Sequence, residues 1–134
     1  MTRVPRPVPA WNAVEQAWLA GLLEGEGSFT ASHFNGPRSP RSPRVTLAMC
    51  DQDIVERAAA LMGAPSVHSK PVQPTDLGNL RRPQWQAAVM GFQAVEVMAR
   101  VRPTMGARRR ARIDELITEW YAARPHLTRE EAAA

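Results

Sequence analysis

The stretch "EQAWLAGLLEGEGSF", residues 15–29, makes two incompatible demands within one segment. Trp18, Leu19, Leu22 and Leu23 ask for a buried helix, whereas Gly21, Gly25 and Gly27 weaken one, and Glu24 and Glu26 are costly to bury unpaired. An apolar helix that finishes in glycines and carboxylates must serve something besides its own packing. Upstream, Asn12 and Glu15 have the spacing of a capping box, so the helix is expected to start there and run to about Glu24. Its apolar residues do not form one stripe. Val14, Trp18, Gly21 and Gly25 line one side at helical spacing and Leu19, Leu22 and Leu23 cover another, which predicts a helix enclosed on two sides. Gly21 and Gly25, four residues apart, leave room for a second backbone to approach closely.

Downstream, "GSFTASHF" (27–34) and "RVTLAMC" (44–50) alternate around a polar loop and predict a hairpin. Asp51 is positioned to cap the next helix, "QDIVERAAALM", and Gly63 to stop it. The pattern then recurs: "SVHSKPV" and "PQWQAAVMG" flank a second polar loop, and "QAVEVMARV" reads as a short helix ended by Pro103. A last amphipathic helix, Arg108 to about Ala123, sets Ile113, Leu116, Ile117, Trp120 and Tyr121 on one face. This order predicts an α+β domain, αββαββα, with helices on one face of a curved antiparallel sheet. The other face is expected to be open and to carry Thr30, Ser32, Thr46, Ala48, Gln84 and Gln86. Residues 12–124 form the single domain, 1–11 a flexible arm and 125–134 a tail.

Composition narrows the function. The chain has 134 residues, 44% hydrophobic and 22% charged, enough for one domain with a real core. It has no apolar run long enough to span a bilayer and no signal-peptide pattern, so a cytoplasmic protein without a membrane partner is expected. One cysteine, Cys50, excludes an internal disulfide framework and reads as a core thiol. The net charge of +4 comes almost wholly from arginine, whose planar fork suits phosphates and guanine edges. The arginines cluster: Arg38, Arg41 and Arg44 in "PRSPRSPR", Arg81 and Arg82 in "NLRRPQ", and Arg108, Arg109, Arg110 and Arg112 in "GARRRAR". A polar sheet face with basic loop tips suits a DNA major groove. His33 and His68 lack ligand-spaced partners and read as ordinary histidines; Phe29, Trp85 and Phe92 read as core.

"LAGLLEGEG", Leu19 to Gly27, resembles the signature of the LAGLIDADG homing endonucleases. The likeness extends to the element order, to "CDQDIVERAAALMG" and to "VRPTMGARRRARIDELI", and so spans roughly residues 12–123. It is to single-motif members, which implies a homodimer whose two signature helices cross at Trp18, Gly21, Leu22 and Gly25, and a site-specific double-strand cut in near-palindromic DNA. It implies that Glu26, at the signature's eighth position, holds a catalytic Mg²⁺, for which Mn²⁺ can substitute, and that Arg108 polarises the site. Arg38, Arg41, Arg44, Arg81, Arg82 and Arg109 are the expected DNA contacts. Glu24, at the sixth position, is left with three uses: capping, pairing with an arginine, or supporting the dimer. Where the family commonly has a polar residue on the second strand, this chain offers Leu47, Ala48 and Met49. The family implies a mobile element, intron-borne, intein-borne or free-standing, in a bacterial or phage-infected cell. The alternative from another class is a non-cleaving DNA- or RNA-binding module on the same fold, such as a maturase or regulator.

Overall fold

The computed structural model describes residues 7–70 and 82–124. The first helix, α1 (Ala13–Glu26), opens on the expected capping box: Asn12 Oδ1 accepts from the Glu15 N–H at 2.8 Å, and Glu15 Oε1 accepts from the Asn12 N–H at 2.9 Å. It runs two residues past Glu24 and closes where the Gly27 N–H donates to Leu23 O. A hairpin follows, β1 (Gly27–Ser32) and β2 (Ser42–Met49), then α2 (Gln52–Met62). Gly63 stops α2 in the left-handed region, φ 73°, as expected. Asp51 occupies the cap position of α2, but its side chain makes no cap hydrogen bond, so the backbone alone starts this helix. Short β3 (His68–Lys70), β4 (Gln84–Met90) and α3 (Phe92–Val101) come next. Pro103 falls in a 3₁₀ turn, Arg102–Thr104, before α4 (Ala107–Ala122).

The four strands form one antiparallel sheet in the order β1-β2-β4-β3. Side chains alternate between faces along a strand, and directly paired residues share a face. Phe29, Val45, Leu47, Ala87 and Val89 therefore point together into the core, where Leu19, Leu23, Val55, Met62, Val97, Met98, Ile113 and Leu116 from the four helices meet them. The opposite face carries Ser28, Thr30 and Ser32 of β1, Ser42, Arg44, Thr46 and Ala48 of β2, Gln84, Gln86, Ala88 and Met90 of β4, and His68 and Lys70 of β3. All six residues expected on the open face lie there.

Some expectations need adjusting. Phe92 is more than a third exposed, edge-on to Trp120 at 5.1 Å between ring centroids, and is not a core residue. Cys50 is only partly buried, because it lies just beyond the end of β2. Residues 7–11, within the stretch read as an arm, lie against the helices: Trp11 Nε1 donates to Leu61 O at 2.7 Å, and Arg100 Nη1 donates to Pro9 O at 2.6 Å. Among the described residues, no helix is long and apolar enough to cross a membrane.

Candidate nucleic-acid interface

Among the described residues, the open sheet face carries Arg44, Lys70 and His68 and no carboxylate. Arg44 is central, paired with Thr30 on one side and Met90 on the other, and its Nε is buried with no hydrogen-bond acceptor among the described residues. A buried guanidinium N–H without an acceptor is costly inside a protein and cheap where a ligand supplies one. Arg38 and Arg82 are exposed in the loops beside this face; Arg81 lies outside the described residues. Arg41 is spoken for. Its Nε and Nη2 both donate to Glu119 Oε1 of α4, at 3.0 and 2.7 Å, and that hydrogen bond, with the carboxylate's charge, pushes the guanidinium pKa up.

Glu26 closes α1 at the end of β1, exposed, and among the described residues nothing pairs with its carboxylate. Gly27 pairs with Leu47, so Ala48 lies one step further along β2, beside the end of α1. Leu47 is in the core and Ala48 is on the open face, so β2 supplies no polar side chain there; the polar neighbour across the ladder is Gln86 of β4.

Glu24 and Arg109 are joined. Both carboxylate oxygens of Glu24 lie 3.3 Å from the Gly106 N–H at the start of α4, and Oε2 lies 3.8 Å from Arg109 Nε. Of the three uses open to Glu24, the structure shows the pairing with an arginine, with a hydrogen bond to the Gly106 backbone beside it. Arg109 Nη1 donates to Gly27 O at 2.8 Å, and one helical turn on, Arg112 Nε donates to Phe29 O at 3.3 Å. β1 is an edge strand, and these two arginines donate to carbonyls along it. Sequence reading counted Arg112 in the basic cluster without giving it a role, and gave none to Gly106. The three-residue spacing of Arg109 and Arg112 was the available signal, since it puts both on one helix face. Arg108, exposed in the first turn of α4, shares with Arg109 and Arg112 an open cleft of ≈ 390 Å³ along Gly27–Thr30.

On α1, Val14 is 71% exposed, and Gly21 and Gly25 are exposed with nothing within 4 Å of the position a Cβ would take. Leu22 and Trp18 are half-buried against the core, and the Arg57 guanidinium lies 4.1 Å from the Trp18 ring. One side of the helix is enclosed and the Gly21/Gly25 side is bare.

Solved structures share this architecture. The archaeal intron-encoded homing endonuclease I-Vdi141I, complexed with DNA, superposes with a TM-score of 0.53 at 13% identity, over 87% of this chain and 86% of that one. The chain has the LAGLIDADG homing endonuclease fold. The group I intron-encoded homing endonuclease I-CeuI, complexed with DNA, matches with a TM-score of 0.60 at 14% identity, and the LAGLIDADG meganuclease I-CpaMI, bound to uncleaved DNA, with 0.56 at 13%. The chain covers 55% of I-CeuI and 40% of I-CpaMI. No protein-family model and no curated protein matches the sequence. At such identities, the likeness of the LAGLIDADG fold lies in the course of the backbone; side-chain roles rest on the geometry above.

Proposed function

We propose that this chain is a site-specific, Mg²⁺-dependent double-strand DNA endonuclease of the LAGLIDADG homing type, acting as a homodimer on a near-palindromic site in the cytoplasm. The observation that carries the reading is the pairing of a cationic open sheet, free of carboxylates among the described residues, with an unpaired carboxylate, Glu26, at its end. The sheet, with Arg38, Arg44 and Arg82, takes the duplex; phosphate contacts fix register and base-edge contacts fix sequence.

Mg²⁺ is a hard cation usually held through one or two carboxylates and substrate phosphates. Glu26 fits in kind. In number it falls short: no group of three His, Cys, Asp or Glu among the described residues could hold a metal, so a bound ion would need further oxygens from a second copy and from the DNA. The bare Gly21/Gly25 side of α1 is where that copy would cross, bringing two Glu26 carboxylates together. When bound, the metal lowers the pKa of a water and neutralises charge on the leaving oxygen. Arg108 then faces the phosphate from the first turn of α4 and steadies its developing charge.

A second reading, a non-cleaving nucleic-acid-binding module, is favoured by Ala48, which leaves β2 without a polar group beside Glu26. The substitution Glu26→Gln separates the two. It keeps the shape and removes the charge a hard cation needs, so cleavage of a mapped site should fall by orders of magnitude while binding survives or tightens. Wild-type protein that binds its site but never cuts it with Mg²⁺ or Mn²⁺ would establish the binder, and a Glu26→Gln variant that cuts as fast as wild type would remove Glu26 from the chemistry.

A further inference from the structure

Glu26 is followed immediately by Gly27, and glycine has the softest backbone of any residue. A carboxylate that must meet a cation within a few tenths of an ångström is poorly served by such a neighbour unless something else fixes it. Both polar groups of Gly27 are fixed. Its N–H donates to Leu23 O inside α1, and its carbonyl accepts from Arg109 Nη1 at 2.8 Å, from the other side of the junction. Arg109 is held in turn: its Nε lies 3.8 Å from Glu24 Oε2, its guanidinium carbon is 5.6 Å from the Phe29 ring centroid, and its side chain is 18% exposed. Glu24 is anchored by the Gly106 N–H, and a Cβ at residue 106 would come within 2.8 Å of Glu24 Oε1, so a side chain there would make the carboxylate shift.

We propose that Arg109, seated by Glu24, is a positioning residue that sets the direction of the Glu26 carboxylate through the Gly27 peptide. The inference rests on the reading of Glu26 as the metal-holding group. It also gives the two signature acids different roles, with Glu26 left unpaired to bind and Glu24 turned toward the start of α4 to hold the arginine that aims it. This role differs from that of a DNA contact, because Gly27 O and Glu24 orient the guanidinium before any phosphate arrives.

The test uses the full chain on its mapped DNA duplex, with Mn²⁺ binding to the complex followed by electron paramagnetic resonance and Glu26→Gln as the blank. Arg109→Ala should weaken Mn²⁺ binding by roughly 10-fold or more, the range seen when the support of a metal-holding side chain is lost. DNA affinity and its salt dependence, measured in EDTA, should stay at wild-type values. Amide exchange across residues 24–28 should quicken. Glu24→Ala should move in the same direction, and the double variant should be no worse than Arg109→Ala, since the two act as a unit. Arg109→Lys, which keeps a donor for Gly27 O, should recover part of the metal affinity, and this comparison serves if Arg109→Ala does not fold. A phosphate-contact role would instead flatten the salt dependence of binding by about one unit in Arg109→Ala and leave Mn²⁺ binding unchanged, which would overturn the inference. If wild-type protein itself gives no signal above the Glu26→Gln blank, the metal role of Glu26 fails first.

Discussion

At the residue scale, the glycines of "LAGLLEGEG" have different reasons to be glycine. Gly27 is extended, φ −80°, so conformational freedom is not the reason; contact is. A Cβ there would come within 2.8 Å of Leu23 Cδ2, 2.9 Å of Leu23 O and 3.0 Å of Leu23 Cα, and the backbone of a helix in the core cannot yield as a side-chain tip can. Gly27→Ala should therefore cost on the order of 1–3 kcal/mol, read as a lower urea midpoint at unchanged slope. A midpoint equal to wild type would show that the helix-to-strand junction has slack. The sequence had already marked Gly27 as anomalous, but not why, because the clash depends on α1 reaching Glu26 before the chain turns into β1. The role of Glu24 was hidden for a similar reason. Its partners, Gly106 and Arg109, lie more than eighty positions away, and no local spacing rule connects them.

At the level of elements, the alternation of polar and apolar residues in β1, β2 and β4 foretold which side chains share the open face, because a period of two fixes the face once the register is known. Helix α1 was harder. Its two apolar sides predicted enclosure on both, and the protomer encloses only one, around Leu19, Ala20 and Leu23. Among the described residues, nothing packs on Gly21 or Gly25, and they cost helix stability, roughly 0.5–1 kcal/mol each relative to alanine. The proposed dimer gives them a use, as the place where a second backbone crosses. Gly21→Leu should leave the helical circular dichroism intact while shifting the sedimentation of the DNA-bound protein from dimer to monomer. A Gly21→Leu variant that still sediments as a dimer on DNA would move the contact elsewhere.

Across the whole molecule, the arginine surplus divides into two populations that composition alone could not tell apart. Arg41, Arg100, Arg102, Arg109 and Arg112 are engaged by Glu119, Glu96, Asp114, Glu24 and Glu115. Arg44 lies on the open sheet with an unsatisfied Nε, and Arg38 and Arg82 are exposed in loops beside it. That second population, with the exposed Arg108 and Arg110 of α4, is the one available to release counterions from a duplex. Alanine at Arg44 should lower the salt dependence of DNA binding by about one unit of slope, whereas Arg102→Ala should leave it unchanged. Equal slopes for the two variants would mean that the open sheet is not the face that meets DNA. The sheet order β1-β2-β4-β3 has a further consequence. The chain repeats strand, strand, helix, yet its two hairpins are joined through the central pair β2–β4, whose partners, such as Leu47 and Ala87, are forty positions apart. High contact order of this kind slows folding and binds the repeats into one cooperative transition, so neither half is a domain that could be borrowed, lost or evolved separately.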